Sequence, residues 1–260
     1  RNTAKFCLDN LTGFDPEQLV AAADMQELDR WAVTRLNSLI RRVFDSYDAY
    51  EFHAVSHAIN DFCVVDLSSF YFDIIKDRLY CDGENSLSRR SAQTALFLIV
   101  DAMTRMFAPI LAFTCEEIWL AMPHRQADDG RSVLFNCMVQ PYEDYALPED
   151  AMDRWARIAA VRSAVNGALE QARADKTIGK SLEAEVDVTV PAEDAFLADM
   201  EIVSQVRVTV GDALSVTVAP AQGVKCARCW KVLTSVGTVA GHDTLCPRCA
   251  AVVKALPVVE

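Results

Sequence analysis

Residues 225–249 read KCARCWKVLTSVGTVAGHDTLCPRC and contain two pairs of cysteines, Cys226 with Cys229 and Cys246 with Cys249. Each pair has the spacing C-x2-C, and 16 residues separate the two pairs. Such pairs supply four thiolate ligands, and the span between them returns the chain to complete a tetrahedral zinc site. All four ligands come from the protein, which leaves no position for water or substrate. The pattern therefore predicts one structural Zn2+ in a C-terminal zinc ribbon, residues 223–260.

The alternative for a single C-x2-C pair is a redox-active dithiol. Dithiols of the thioredoxin type lie in a βαβ context, which the sequence around Cys226 does not show. The other five cysteines are scattered singly, at Cys7, Cys63, Cys81, Cys115 and Cys137. Scattered cysteines in a chain of this length are typical of the reduced cytoplasm, so we expect a cytoplasmic protein without disulfides.

Aromatic and basic residues adjoin the four cysteines. Trp230 directly follows Cys229, and three cations lie next to the cysteines: Arg228, Lys231 and Arg248. An exposed aromatic ring surrounded by cations suits unpaired bases, because stacking contributes about 1–3 kcal/mol per base while cations contact phosphates. In the other interpretation, Trp230 belongs to the small core of the ribbon. The residue pattern alone leaves both interpretations open.

Upstream of the ribbon, apolar residues recur at helical spacing along most of the chain. The predicted helices span residues 25–47, 50–80, 88–107, 114 onward and 149–174. Pro109 should end the third helix, because a proline inside a helix removes a hydrogen bond and clashes with the preceding turn. Thr114 and Glu117 match a capping box, which predicts that the fourth helix begins at Thr114.

The periodicity changes after the fifth predicted helix. Apolar residues alternate with polar ones at residues 186–190, 206–210 and 214–218, which predicts three strands, with a short helix at 194–200 between the first two. We therefore expect a mainly α protein: a helical bundle, a small α+β junction and the zinc ribbon. The predicted boundaries are 1–145, 146–222 and 223–260.

The net charge of −12 argues against a protein that coats nucleic acid along its whole surface. The distribution is uneven, because residues 224–260 carry five basic and two acidic residues. A local basic surface on an acidic body is therefore expected at the C-terminus. No apolar run approaches the roughly 20 residues that a membrane-spanning helix needs, so no membrane partner is expected.

Several motifs together resemble one family. They are Arg1-Asn-Thr-Ala-Lys-Phe6, Asp66-Leu-Ser-Ser-Phe-Tyr71, Ala108-Pro-Ile-Leu-Ala-Phe-Thr-Cys-Glu-Glu-Ile-Trp119, Ile178-Gly-Lys-Ser-Leu-Glu-Ala184, and the two cysteine motifs above. Over essentially its whole length, the sequence resembles the C-terminal part of bacterial isoleucyl-tRNA synthetases. The bundle motifs also occur in the related enzymes for valine and leucine, whereas the ribbon and residues 178–184 point to isoleucine.

The resemblance implies that residues 1–145 hold the anticodon stem of tRNA(Ile) and that the zinc ribbon reaches the anticodon loop. Trp230 is then the base-stacking residue, and Arg35 and Arg42 are candidate contacts to the stem. ATP and Mg2+ belong to a catalytic domain of the same polypeptide, whose signature motifs do not occur here, and an editing domain is missing too. The resemblance implies a monomer that is not catalytic by itself.

Two other functions fit the ribbon alone. It also resembles the zinc finger of formamidopyrimidine-DNA glycosylases, although those enzymes have no upstream helical bundle and use an N-terminal proline where this chain has Arg1. The ribbon would otherwise be a structural brace that does not read the anticodon. Replacing Trp230 distinguishes a ribbon that only braces the protein from one that contacts RNA.

Overall fold

A computed structural model describes residues 1–191 and 203–256 of the chain, which form two compact units. The first unit contains residues 1–79 and 84–147, and the second contains residues 80–83 and the chain from residue 148 onward. The predicted division at 1–145, 146–222 and 223–260 stays a prediction. The short helix predicted at 194–200 lies outside the described residues.

The first unit is helical. Its elements are α1 (Asn2–Asn10), α2 (Glu27–Asp48), α3 (Phe52–Asp61), a π-helical segment (Phe62–Tyr71), α4 (Phe72–Cys81, whose last two residues belong to the second unit), α5 (Leu87–Phe107), α6 (Ala112–Ala121) and two 3-10 turns (Val133–Phe135 and Glu143–Tyr145). The mainly α fold class is confirmed. Helix α1 is not among the predicted helices, because it is short and mostly polar on its outer side.

Helix α5 is the central helix of the first unit. Ser86 caps its start by accepting a hydrogen bond from the backbone N–H of Arg89, and every residue from Ser91 to Ala102 is buried. A helix that is buried on all sides packs against several neighbours, and α5 contacts α1, α2 and α6. It ends before Pro109, as its sequence predicts.

One predicted helix is not α-helical throughout, and one predicted helix start is wrong. The helix expected over residues 50–80 contains the ten-residue π-helical segment, where the hydroxyls of Ser68 and Ser69 donate to carbonyls five residues earlier. Helix α6 begins at Ala112, so Thr114 lies inside its first turn and caps nothing. The chain turns sharply after Pro109, and the N–H of Cys115 bonds to the carbonyl of Leu111, which starts the helix earlier.

A buried carboxylate network joins four helical segments of the first unit. Asp29 is fully buried, and its Oδ1 accepts hydrogen bonds from the Tyr71 hydroxyl at 2.8 Å and from Nη2 of Arg78 at 2.7 Å. Its Oδ2 accepts from Nη1 of Arg78 at 3.0 Å and from the Ser91 hydroxyl. A buried charge is tolerated when it is paired and hydrogen-bonded in this way, so the network fixes α2, the π-helical segment, α4 and α5 in register.

The second unit contains α7 (Glu149–Ala174), β1 (Ala184–Val190), β2 (Gln205–Val210), β3 (Ser215–Pro220), β4 (Val224–Lys225), β5 (Val232–Leu233) and α8 (Pro247–Ala255). The three larger strands form one sheet in the order β2-β1-β3, with β1 parallel to β2 and antiparallel to β3. The apolar residues of β1 are buried in strict alternation, and α7 packs on β1 and β3. The predicted fifth helix and all three predicted strands are confirmed.

The motif Ile178–Ala184 forms the turn between α7 and β1. The Glu183 carboxylate accepts hydrogen bonds from the backbone N–H groups of Gly179 and Lys180, at 3.0 and 3.2 Å. A Cβ atom at residue 179 would lie 2.9 Å from Oε2 of Glu183, so a larger residue there would displace this carboxylate. Among the described residues, no helix combines the length and the apolar character that crossing a membrane requires.

Replacing Asp29 by alanine should destabilise the protein by about 3–5 kcal/mol, because the Arg78 guanidinium would lose its buried partner. Urea denaturation of the whole chain measures the change. The control is Asp9→Ala, which breaks the exposed Lys5–Asp9 pair and should cost at most about 0.5 kcal/mol. Equal losses in the two variants would contradict the proposed importance of the Asp29 network.

Candidate metal centre and adjoining aromatic surface

The four cysteines of the two C-x2-C pairs meet in the second unit. Strands β4 and β5 form a two-stranded hairpin whose turn carries Cys226 and Cys229, while Cys246 immediately precedes α8 and Cys249 lies in its first turn. All four side chains are buried, and their sulfur atoms lie within 4.8 Å of one another. No other cluster of three or more potential metal-ligating side chains occurs in the part of the chain that the structure describes.

The cluster has the dimensions of a tetrahedral thiolate site. Zinc–sulfur bonds of about 2.3 Å in a tetrahedron place neighbouring sulfur atoms roughly 3.8 Å apart. The Sγ atoms of Cys229 and Cys246 are 3.9 Å apart, which fits this geometry. The backbone N–H of Cys246 also donates to Sγ of Cys226 at 3.3 Å, as expected for a sulfur that carries negative charge.

The thiols differ in how readily they ionise. Burial raises the pKa of Cys226, but backbone N–H groups of Cys229, Cys246 and Arg228 more than offset it and bring the pKa down to about 6. Burial raises the pKa of Cys249 to about 12 and raises the pKa of Cys229 as well. A divalent cation at the centre would supply the positive charge that these buried thiols need to ionise together. The donor set therefore suits zinc.

A strained backbone conformation directs Trp230 away from the protein. The Trp230 N–H bonds to the carbonyl of Cys226 at 3.0 Å, and the N–H of Cys226 bonds to the carbonyl of Lys231 at 2.9 Å. These two bonds close the cysteine turn and leave Trp230 with φ of 64°, a left-handed conformation that costs a non-glycine residue about 1–2 kcal/mol. The strain persists because the surrounding turn imposes it.

The indole of Trp230 is 60% exposed, whereas the other three tryptophans are at most 8% exposed. The interpretation that places Trp230 in the ribbon core is therefore wrong. The ammonium of Lys225 lies 5.9 Å from the indole centroid, within the range of a cation–π contact. Lys225 is not among the predicted site residues, although its position just before the first cysteine places it on the same hairpin.

The predicted RNA-contacting arginines of the ribbon have partners within the second unit. Arg228 donates from Nη2 to the carbonyl of Tyr80 at 3.3 Å and from Nη1 to the carbonyl of Cys81. Arg248 lies 3.7 Å from a carboxylate oxygen of Asp82. Lys231 is half-buried beside the cysteine turn. Their predicted role at RNA stays a prediction, and the contacts favour a different role for Arg228.

The arginines predicted to contact the anticodon stem, all in the first unit, differ in their ion pairing and exposure. Arg35 forms a two-point ion pair with Asp66, with its Nε 3.0 Å from Oδ1. Arg42 is exposed about two turns of helix further along α2. Neighbouring Arg41 pairs with Glu143. The acidic partners Asp66 and Glu143 are distant in sequence, which is why the sequence alone did not reveal that two of these three arginines are paired.

Two protein-family models match the chain. Residues 29–188 match the anticodon-binding domain of tRNA ligase, and residues 223–252 match a zinc finger found in FPG and IleRS. The first match covers more than half of the chain. The chain belongs to the anticodon-binding domain family of tRNA ligases. The zinc-finger match includes all four clustered cysteines, in agreement with the geometry of the centre.

The chain is also similar to curated isoleucine–tRNA ligases. It is 44% identical to the ligase of Syntrophotalea carbinolica over 97% of this chain, 44% identical to that of Desulforamulus reducens over 98%, and 40% identical to that of Colwellia psychrerythraea over 96%. It spans only 29% of the length of each of these relatives and corresponds to their C-terminal part.

Substituting Cys226 by serine should abolish zinc retention and unfold the ribbon, because the fourth thiolate is lost and the segment is too short to build its own core. Zinc content after gel filtration and limited proteolysis of the purified chain measure both effects. Cys137→Ser is the control, since Cys137 is exposed and outside the cluster. A Cys226→Ser chain that keeps the zinc content of the control would refute the ligand assignment.

Proposed function

We propose that this chain binds the anticodon arm of tRNA(Ile), as the C-terminal part of an isoleucine–tRNA ligase. The observation that carries the proposal is the exposed indole of Trp230, held at the cysteine turn in a chain of the anticodon-binding family. Similarity to isoleucine–tRNA ligases over nearly the whole chain supports isoleucine as the amino acid of the complete enzyme.

Zinc and Trp230 act together in this proposal. One structural zinc ion held by Cys226, Cys229, Cys246 and Cys249 fixes the hairpin turn, and the turn fixes the indole in an exposed position before RNA arrives. A pre-ordered ring loses little entropy on binding, so most of the roughly 1–3 kcal/mol of base stacking becomes affinity. Lys225 and Lys231 lie on the same hairpin and supply positive charge for the loop phosphates.

The helical unit is proposed to bind the anticodon stem through local cations, because the chain as a whole is acidic. Arg42 is the exposed candidate on α2. Arg35 keeps part of its guanidinium accessible, with 44% of its side chain exposed beside Asp66, so it contacts phosphate only with the donors that Asp66 leaves. Local cations on an acidic body limit non-specific binding and favour a defined register on the RNA.

The complete ligase is proposed to attach isoleucine to tRNA(Ile) with ATP and Mg2+, in the cytoplasm and as a monomer. The catalytic and editing domains of the same polypeptide supply that chemistry and are intramolecular partners of this part. This part has the positioning role: it holds the anticodon arm so that the acceptor end reaches the catalytic domain. It is therefore not expected to form aminoacyl-tRNA by itself.

Replacing Trp230 tests the proposal. We expect Trp230→Ala and Trp230→Gly to weaken binding of a tRNA(Ile) anticodon stem-loop by about 5–150-fold, the equivalent of 1–3 kcal/mol, while Trp230→Phe retains most of the affinity. Glycine tolerates the left-handed backbone, so the Trp230→Gly chain loses the ring without added strain. Fluorescence anisotropy with labelled RNA measures the affinities, and a stem-loop with a scrambled loop is the control ligand.

Zinc content and urea denaturation of the same variants distinguish the rival functions. Loss of affinity with unchanged zinc content and stability supports stacking. Unchanged affinity together with lost stability would favour a ribbon that only braces the protein. Equal binding of native and scrambled loops by the unmodified chain would contradict anticodon recognition altogether.

A further inference from the structure

The guanidinium of Arg228 lies between the cysteine cluster and the end of a helix. One of its nitrogens, Nη1, is 3.9 Å from Sγ of Cys249 and also donates to the carbonyl of Cys81. Its other terminal nitrogen, Nη2, donates to the carbonyl of Tyr80 at 3.3 Å. All of these residues belong to the second unit. A side chain that the sequence places beside two metal ligands is therefore directed inward.

Tyr80 and Cys81 are the last two residues of α4. The final carbonyls of a helix have no partners within the helix, and together they carry a partial negative charge. A guanidinium presents several N–H donors in one plane and cannot lose its proton, so it satisfies two such carbonyls at once. Arg228 thus caps the C-terminus of α4 while lying against a sulfur of the cluster.

Packing reinforces the same connection. The Cys81 side chain is buried in one apolar cluster with the four candidate ligands, and three half-buried residues complete that cluster: Leu233, Val236 and Leu245. Arg248 pairs with Asp82 at 3.7 Å, one residue after the end of α4. The Tyr80–Gly83 segment is therefore held by the ribbon through hydrogen bonds, apolar contact and an ion pair.

The positive charge of Arg228 beside the cysteine cluster has a consequence for metal binding. Four thiolates around one zinc ion leave an excess of negative charge in a buried site. A permanent cation next to Cys249 offsets part of that excess, and groups that hydrogen-bond to metal ligands typically change metal affinity 10–100-fold. Without the four ordered thiolates, in turn, Arg228 loses the surface that orients it toward the α4 carbonyls.

We infer that Arg228 is a positioning residue that couples metal retention in the ribbon to the order of the Tyr80–Gly83 segment, and that it does not contact RNA. The inference rests on the metal site of the proposed function, but not on RNA binding. It assigns to Arg228 a role different from the RNA contact that its sequence position predicts.

The test compares zinc release and hydrogen exchange in the whole chain. Zinc transfer to an excess of EDTA is followed with a zinc-sensitive dye, and exchange is measured by mass spectrometry on peptides covering residues 78–86. Arg228→Met should release zinc about tenfold faster or more and should raise exchange in those peptides. Arg207→Met, which removes an exposed arginine of β2 that pairs with Glu185 and Asp187 away from the cysteines, should release zinc within about twofold of the unmodified rate.

Arg228→Lys separates the two contributions of the guanidinium. Lysine keeps a positive charge near Cys249 but lacks the planar set of donors, so it should retain zinc better than methionine does while exchange at residues 78–86 still rises. Removing zinc from the unmodified chain should raise exchange in the same peptides. Both results are needed for coupling, because either effect alone would reflect an ordinary local contact.

Three outcomes would overturn the inference. In the first, Arg228→Met releases zinc at the unmodified rate from a chain that does bind zinc, which leaves the proposed metal site intact. In the second, Arg228→Met weakens RNA binding with unchanged zinc release, which identifies a direct RNA contact. In the third, the unmodified chain binds no zinc, which also refutes the metal site of the proposed function.

Discussion

Four sulfur atoms within 4.8 Å of one another impose the conformation of the C-terminal part of the second unit. Because these atoms are buried, their charge requires a cation, and because they come from a hairpin turn and a helix start, that cation joins two otherwise short elements. The turn that results forces Trp230 into a left-handed backbone conformation and exposes its ring. One of these sulfur atoms, Sγ of Cys249, lies 3.9 Å from Nη1 of Arg228. One centre thus organises an exposed aromatic surface and an internal contact.

In the first unit, a buried polar network takes the place of a metal centre in joining separate elements. Its core is large enough to fold through apolar burial, yet it buries Asp29 among a tyrosine, an arginine and a serine from other helical segments. Such a network adds little net stability compared with apolar packing, but it penalises any other register of the helices. The proposed binding of the anticodon stem requires surface cations in fixed positions, since phosphate contacts fix position and register.

The elements with strong periodicity could be predicted from sequence alone: α2, α5, α7 and the three strands of the larger sheet follow the apolar pattern closely. The cysteine cluster could also be predicted, because ligand spacing is a local property. Features that depend on tertiary context could not. The apolar pattern of the π-helical segment does not differ from that of an ordinary α-helix. Helix α6 begins before Thr114, so the capping box predicted there does not form. The hydrogen-bond partners of Arg35 and Arg228 lie 31 and more than 140 residues away in the sequence. The left-handed backbone of Trp230 depends on the hydrogen bonds that close the cysteine turn, which the cysteine spacing alone does not reveal.

Tryptophan emission on addition of the tRNA(Ile) anticodon stem-loop tests the central claim most directly, because Trp230 is the exposed member of the chain's four tryptophans. We expect the native loop to quench the exposed-tryptophan emission, a scrambled loop to quench it much less, and removal of zinc to abolish the difference. Tight binding of the native loop without any change in emission would contradict the claim that a metal-ordered Trp230 stacks on an unpaired base.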